Sequence, residues 1–110
     1  MTTTTLRKEL NAARFDWETG RVAYQQVEND DPIWGKPIAP TELISFHHPI
    51  LDQEFNPGFG GCQMPRFIAE DSEWIYFPHG YDGSTTVVAI RKDGIAGYLG
   101  TMEPTPYIGE

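Results

Sequence analysis

Along the first thirteen residues Leu6, Leu10 and Ala13 recur at i, i+4 and i+7, with polar residues between them. Thr2 to Thr5 offer capping hydroxyls, so the spacing predicts a short amphipathic helix over 5–13. The same spacing runs on through Trp17, Gly20, Tyr24 and Val27, which leaves one long helix as an alternative. Gly20 in mid-helix opposes it, at a cost of about 1 kcal/mol relative to Ala. A period of two competes: Phe15 and Trp17, then Val22 and Tyr24, on either side of "DWETGRV". Asp16 and Thr19 suit a turn, and Gly20 tolerates the positive φ that closes one. The hairpin is the favoured reading.

Residues 28–40 carry three prolines and Gly35, so they read as a loop whose Ile33 and Trp34 either lid the core, the commoner outcome, or form an exposed contact. Beyond it, Ile44, Phe46 and His48 alternate with Leu43, Ser45 and His47. That predicts a strand up to Pro49 and a second strand over 50–55. Residues 56–65 follow as a glycine-rich bend. Three further strands are expected at 66–70, 73–77 and 85–91, the last two joined across "PHGYDGS" as a hairpin. "VVAI" is continuously apolar, so the last strand is expected at the centre of the sheet, buried on both faces. After it, 95–100 reads as a short strand or helical turn, and Pro104 and Pro106 keep the tail extended. The sum is an α+β fold: a twisted, mainly antiparallel sheet of five to seven short strands with one N-terminal helix.

At 110 residues the chain is expected to form a single domain over 1–110. No apolar run approaches the roughly 20 residues of a membrane span, and "MTTTTLRKEL" lacks the apolar core of a secretory signal. One cysteine excludes an internal disulfide and fits a reducing compartment, so the expected location is cytoplasmic.

Charge changes the picture most. Sixteen acids against eight Lys and Arg give −8. Between Arg21 and Arg91 only Lys36 and Arg66 are basic, against ten acids, so that stretch carries the whole net charge. Such a field opposes direct contact with nucleic acid or an anionic membrane and would steer association with a basic protein surface; the plainer reading is that the acidity serves solubility alone.

The candidate chemistry is sparse. Cys62 lies in "GFGGCQMP", where glycines could present amides to an oxyanion. No helix follows, and the acidic surroundings oppose a thiolate, so Cys62 reads as structural. His47, His48 and His79, with Asp52, Glu54 and Asp82, have the ligand types for a divalent metal. Adjacent His47 and His48 point to opposite faces of a strand, and no histidine pair has a spacing that shares a face. No metal and no cofactor is expected. "PGFGG" lacks the continuation of a phosphate loop or a dinucleotide fingerprint, and "GYDGST" lacks a histidine base. "EDSE" at 70–73 reads as a solvated turn.

The expectation is therefore a small acidic, non-enzymatic binding protein of inhibitor, immunity or adaptor type. Trp34, Phe59 and Trp74 would anchor the partner, and Glu28, Asp30, Asp31, Glu70, Asp71 and Glu73 would form the steering rim. The alternative is a small β-rich enzyme with a His, Glu and Cys site, with or without a metal. It requires His47 or His48 to meet His79 or Cys62 in a pocket.

Overall fold

A computed structural model of the chain describes residues 3–30, 35–57, 64–81 and 84–92. Helix α1 (Leu6–Ala12) is followed by β1 (Arg21–Gln25), a 3-10 turn Glu28–Asp30 and β2 (Glu42–Ile44). A second 3-10 turn, Pro49–Asp52, precedes β3 (Arg66–Glu70), β4 (Trp74–Tyr81) and β5 (Ser84–Arg91). The five strands make one antiparallel sheet in the order β2-β1-β3-β4-β5. The class is α+β, as the hydrophobic pattern predicts.

The helix forms where its periodicity places it. Thr5 Oγ1 accepts from the Lys8 amide at 3.2 Å, and Leu6 and Leu10 are wholly buried. Its end is a Schellman motif: the Phe15 amide donates to Leu10 O and the Arg14 amide to Asn11 O, both at 3.0 Å. Arg14 takes the left-handed position, φ 66°, that glycine usually fills.

Over 15–27 there is neither a long helix nor a hairpin. Phe15 turns back into the core after the helix, meeting Trp17 and Tyr76 edge to face at 4.8 and 5.2 Å. Only 21–25 is a strand, and it pairs with β2 and β3. Gly20 is required for space and not for a left-handed backbone. A Cβ there would lie 2.3 Å from Phe15 Cζ and 2.5 Å from Asp16 O.

The strand expected at 50–55 is instead the 3-10 turn. Pro49 begins it with φ already set, and His48 caps it, Nδ1 accepting from the Ile50 amide at 3.1 Å. Ile50 and Leu51 are consecutive and both buried, which a half-exposed strand cannot provide. The preceding strand is short for a related reason. It ends at Ile44, and the chain turns at once, His48 N donating to Ser45 O at 3.0 Å. Phe46 is left on the surface.

The centre of the sheet is β3, where all five residues are buried, and not β5. Strand β5 lies at one end of the strand order, and Val87 to Ile90 are half-buried. The charged ends of "RFIAE" hide its central place. Arg66 is buried because Nη2 donates to Gly35 O at 2.8 Å, and Glu70 because two cations meet it.

Alternation divides the core. Val22, Phe67, Ala69 and Tyr76 join Leu6, Leu10, Phe15, Leu51, Phe55 and Met64 in the main cluster beneath α1. Ala23, Ile68, Ile75 and Phe77 form a second cluster on the other sheet face. The segment 93–110, with its expected short strand and extended tail, lies outside the described residues, as do Ile33 and Trp34.

Candidate docking surface

The six acids expected at the rim separate sharply. Glu28 is exposed at its 3-10 turn, and Glu73 is exposed with Arg91 at 3.9 Å. Asp30 ends that turn, and its side chain and Asp31 lie outside the described residues. Glu70 and Asp71 are only 6% and 5% exposed, so "EDSE" is not the solvated turn its composition suggests. Burial withdraws both from any steering rim.

Each buried acid has a structural task. Glu70 faces Arg21 across the β1–β3 pair, Arg21 Nε to Oε1 at 2.7 Å, and takes Lys92 Nζ at 2.9 Å. Asp71 closes the β3–β4 connection. Its Oδ1 accepts from the Glu73 and Trp74 amides at 3.1 and 2.9 Å. Its Oδ2 accepts from the Tyr76 hydroxyl at 2.6 Å and the Asp16 amide at 3.2 Å. Burial pushes the Asp71 pKa up, but these donors outweigh it and hold the carboxyl below its ordinary value. Burial, then the hydrogen bond to Asp71 and its charge, raises the Tyr76 hydroxyl pKa well above its ordinary value.

Of the three aromatic anchors, Trp34 and Phe59 lie outside the described residues. Trp74 is half-buried against the main core, with the Arg91 guanidinium 5.4 Å from its ring centroid. It also lines an open depression of about 370 Å³ with Tyr76, Ala89 and Arg14.

The large exposed apolar side chains among the described residues lie elsewhere in the sequence, on and near β2. Ile38, Leu43 and Phe46 are 56%, 60% and 56% exposed. The Ile38 amide donates to Gln26 O, which ties its segment to the end of β1. Leu43 sits on β2 opposite Ala23. The Phe46 carbonyl accepts from Arg7 Nη2 at 2.7 Å. The same guanidinium holds Asp52 through both of its oxygens, at 2.8 and 3.1 Å. That paired hydrogen bond lowers the Asp52 pKa and raises that of Arg7. The Glu42 carboxylate stands 4.0 Å from His48 Nε2, and the Glu42 and Asp52 side chains are both 59% exposed.

Between this edge and the turn after α1 runs a groove of about 220 Å³. Phe15, Trp17, Val22, Ile44 and Phe46 wall it. Its shape is fixed from behind: Trp17 Nε1 donates to Asn11 Oδ1 at 2.6 Å, and Arg7 stacks 5.3 Å from the indole. A separate apolar space beside Tyr24, Ile50 and Phe55 measures about 10 Å³, room for about one water and no ligand.

The histidines are committed locally. His47 stacks on Phe46 at 4.0 Å, and His48 caps the 3-10 turn. His79 is on β4 opposite Thr86, two strands removed from β1 in the sheet order. Among the described residues no three His, Cys, Asp or Glu side chains group as metal ligands, and Cys62 and Asp82 lie outside them. No described helix is long and apolar enough to cross a membrane.

The sequence reading missed Leu43, Phe46 and the groove. Its alternation pattern put Phe46 with Ile44 inside a continuing strand. Pro49 marks a limit to that strand, but no local signal marks its end as early as Ile44, which leaves Phe46 at a turn. No family model, curated protein or solved structure matches the chain.

Proposed function

We propose that the chain is a small acidic, non-enzymatic binding protein that docks on the basic surface of another protein, as an inhibitor, immunity protein or adaptor does. The observation that carries this reading is the end of β2, where Phe46 stands exposed over an apolar groove and the exposed Glu42 carboxylate lies two residues from the groove residue Ile44. Apolar anchors within a charged border are the composition of a docking surface. Leu43 and Phe46 join Trp34, Phe59 and Trp74 as anchors. Glu42 joins Glu28, Asp30, Asp31 and Glu73 in the rim that steers a cationic partner. The proposed setting is the cytoplasm, with no direct contact to nucleic acid or membrane.

The test starts with the protein captured from a lysate of the native host, then purified and measured against this chain. Leu43→Ala and Phe46→Ala are expected to speed dissociation, by about 2 kcal/mol where the residue is a true anchor. Both positions are exposed, so folding survives the change. Unchanged dissociation, with binding indifferent to salt, rejects the docking surface.

A further inference from the structure

We propose that the groove between the β2 end and the Phe15–Trp17 turn receives one large apolar side chain from a lysine- or arginine-rich extended segment of the partner. The inference rests on the docking reading and specifies what it binds.

Size selects the occupant. About 220 Å³ lies below the roughly 300 Å³ at which small-molecule pockets begin, yet it admits the side chain of a Phe, Leu or Met. The walls are apolar and set in advance. Phe15 and Trp17 meet edge to face, Trp17 is held by Asn11 and Arg7, and Ile44 and Val22 are paired across β1 and β2. Pre-set walls spare a guest the ordering cost that weakens most surface contacts. Phe46 forms a lip that is more than half exposed, while its backbone is pinned by Arg7.

Charge selects the rest of the segment. The turn on one side carries exposed Asp16 and Glu18, and β2 on the other carries exposed Glu42, while Asp52 is taken up by Arg7. Arg7 is engaged by Asp52, and Arg21, which lines the groove, is engaged by Glu70. The border is therefore acidic and complements basic residues flanking the anchor. A second copy of this chain brings −8 of its own and is repelled. An extended conformation follows from the neighbouring edge: among the described strands β2 pairs only with β1, and its other edge is the side an added strand would take.

The experiment titrates the full chain with three synthetic decapeptides, followed by the Trp17 indole N–H resonance. One alternates lysine and serine around a central Phe. The second replaces that Phe with Ala. The third replaces lysine with glutamate around the same Phe. The lysine–Phe peptide is expected to shift Trp17 saturably and to bind about tenfold or more tighter than its Ala counterpart, from burial of the ring. Phe46→Ala removes that preference, and the glutamate peptide does not bind. Equal binding of the Phe and Ala peptides overturns the anchor groove. If that shared binding also fades with salt and with Glu18→Lys or Glu42→Lys, the docking reading stands without it. No shift with any lysine peptide at low salt overturns the inference too, and leaves the docking reading to be judged on the captured partner.

Discussion

Asp71 ties several segments of the fold together. Four donors from three segments converge on its carboxylate, and one of them, the Tyr76 hydroxyl, belongs to a side chain 1% exposed in the main core. Asp71→Asn keeps the size but cannot accept from all four. It is expected to lose about 2–3 kcal/mol of stability at pH 7, read from urea unfolding. The pH sign follows from the lowered pKa. The folded carboxyl binds its proton less readily than the unfolded one, so its contribution is complete above the unfolded value, about 3.9. It is lost as pH falls through the folded value below that. The gap between wild type and Asp71→Asn should therefore narrow below about pH 4, and a gap constant to pH 2 would show that the charge is irrelevant. Gly20 is a second sensitive position for a steric reason. Gly20→Ala sets a methyl against the Phe15 ring and the Asp16 carbonyl, and is expected to destabilise by about 1–3 kcal/mol. A neutral Gly20→Ala in thermal unfolding would mean that the Phe15 turn relaxes freely.

At the scale of the elements, what was legible depended on whether one local rule governed a segment. Helix α1 has both a cap and a period, and its expected and observed bounds agree to a residue or so. Strands β4 and β5 pair as expected, but β4 runs on to Tyr81 through residues 78–81 that their composition assigns to the connection. Segments governed by tertiary contacts were not legible. Nothing local says that Phe15 leaves the helix to pack on Tyr76, or that Ile50 and Leu51 turn inward together. The centre of the sheet was misplaced because its burial depends on partners distant in sequence: Gly35 for Arg66, and Arg21 and Lys92 for Glu70. The same blindness assigned Glu70 and Asp71 to solvent. The helix end offers a test of its own. Arg14 holds a left-handed φ that disfavours any side chain by roughly 1–2 kcal/mol, partly offset by the entropy a glycine adds to the unfolded chain. Arg14→Gly is expected to raise stability by about 0.5 kcal/mol. A loss on that substitution would show that the Arg14 side chain makes a contact worth more than its strain.

Over the whole molecule, the acidic excess divides into internal and outward charge. Glu70 and Asp71 are consumed in building the sheet, while Glu28, Glu42 and Glu73 project into solvent. Only the outward set can act on a partner, and it includes the acid of the β2 edge, beside the exposed apolar residues. That coincidence is the central claim: charge brings the partner in, and the apolar edge holds it. The two functions separate in kinetics, because rim charges act mainly on association and buried anchors mainly on dissociation. The most direct measurement is the association rate of the captured partner with wild type and with Glu42→Lys, across a series of salt concentrations. The account predicts that association slows as salt rises, and that Glu42→Lys slows it at low salt and flattens the dependence, with dissociation little changed. Rates that ignore both salt and Glu42→Lys would contradict it and leave the acidity of the chain as a matter of solubility.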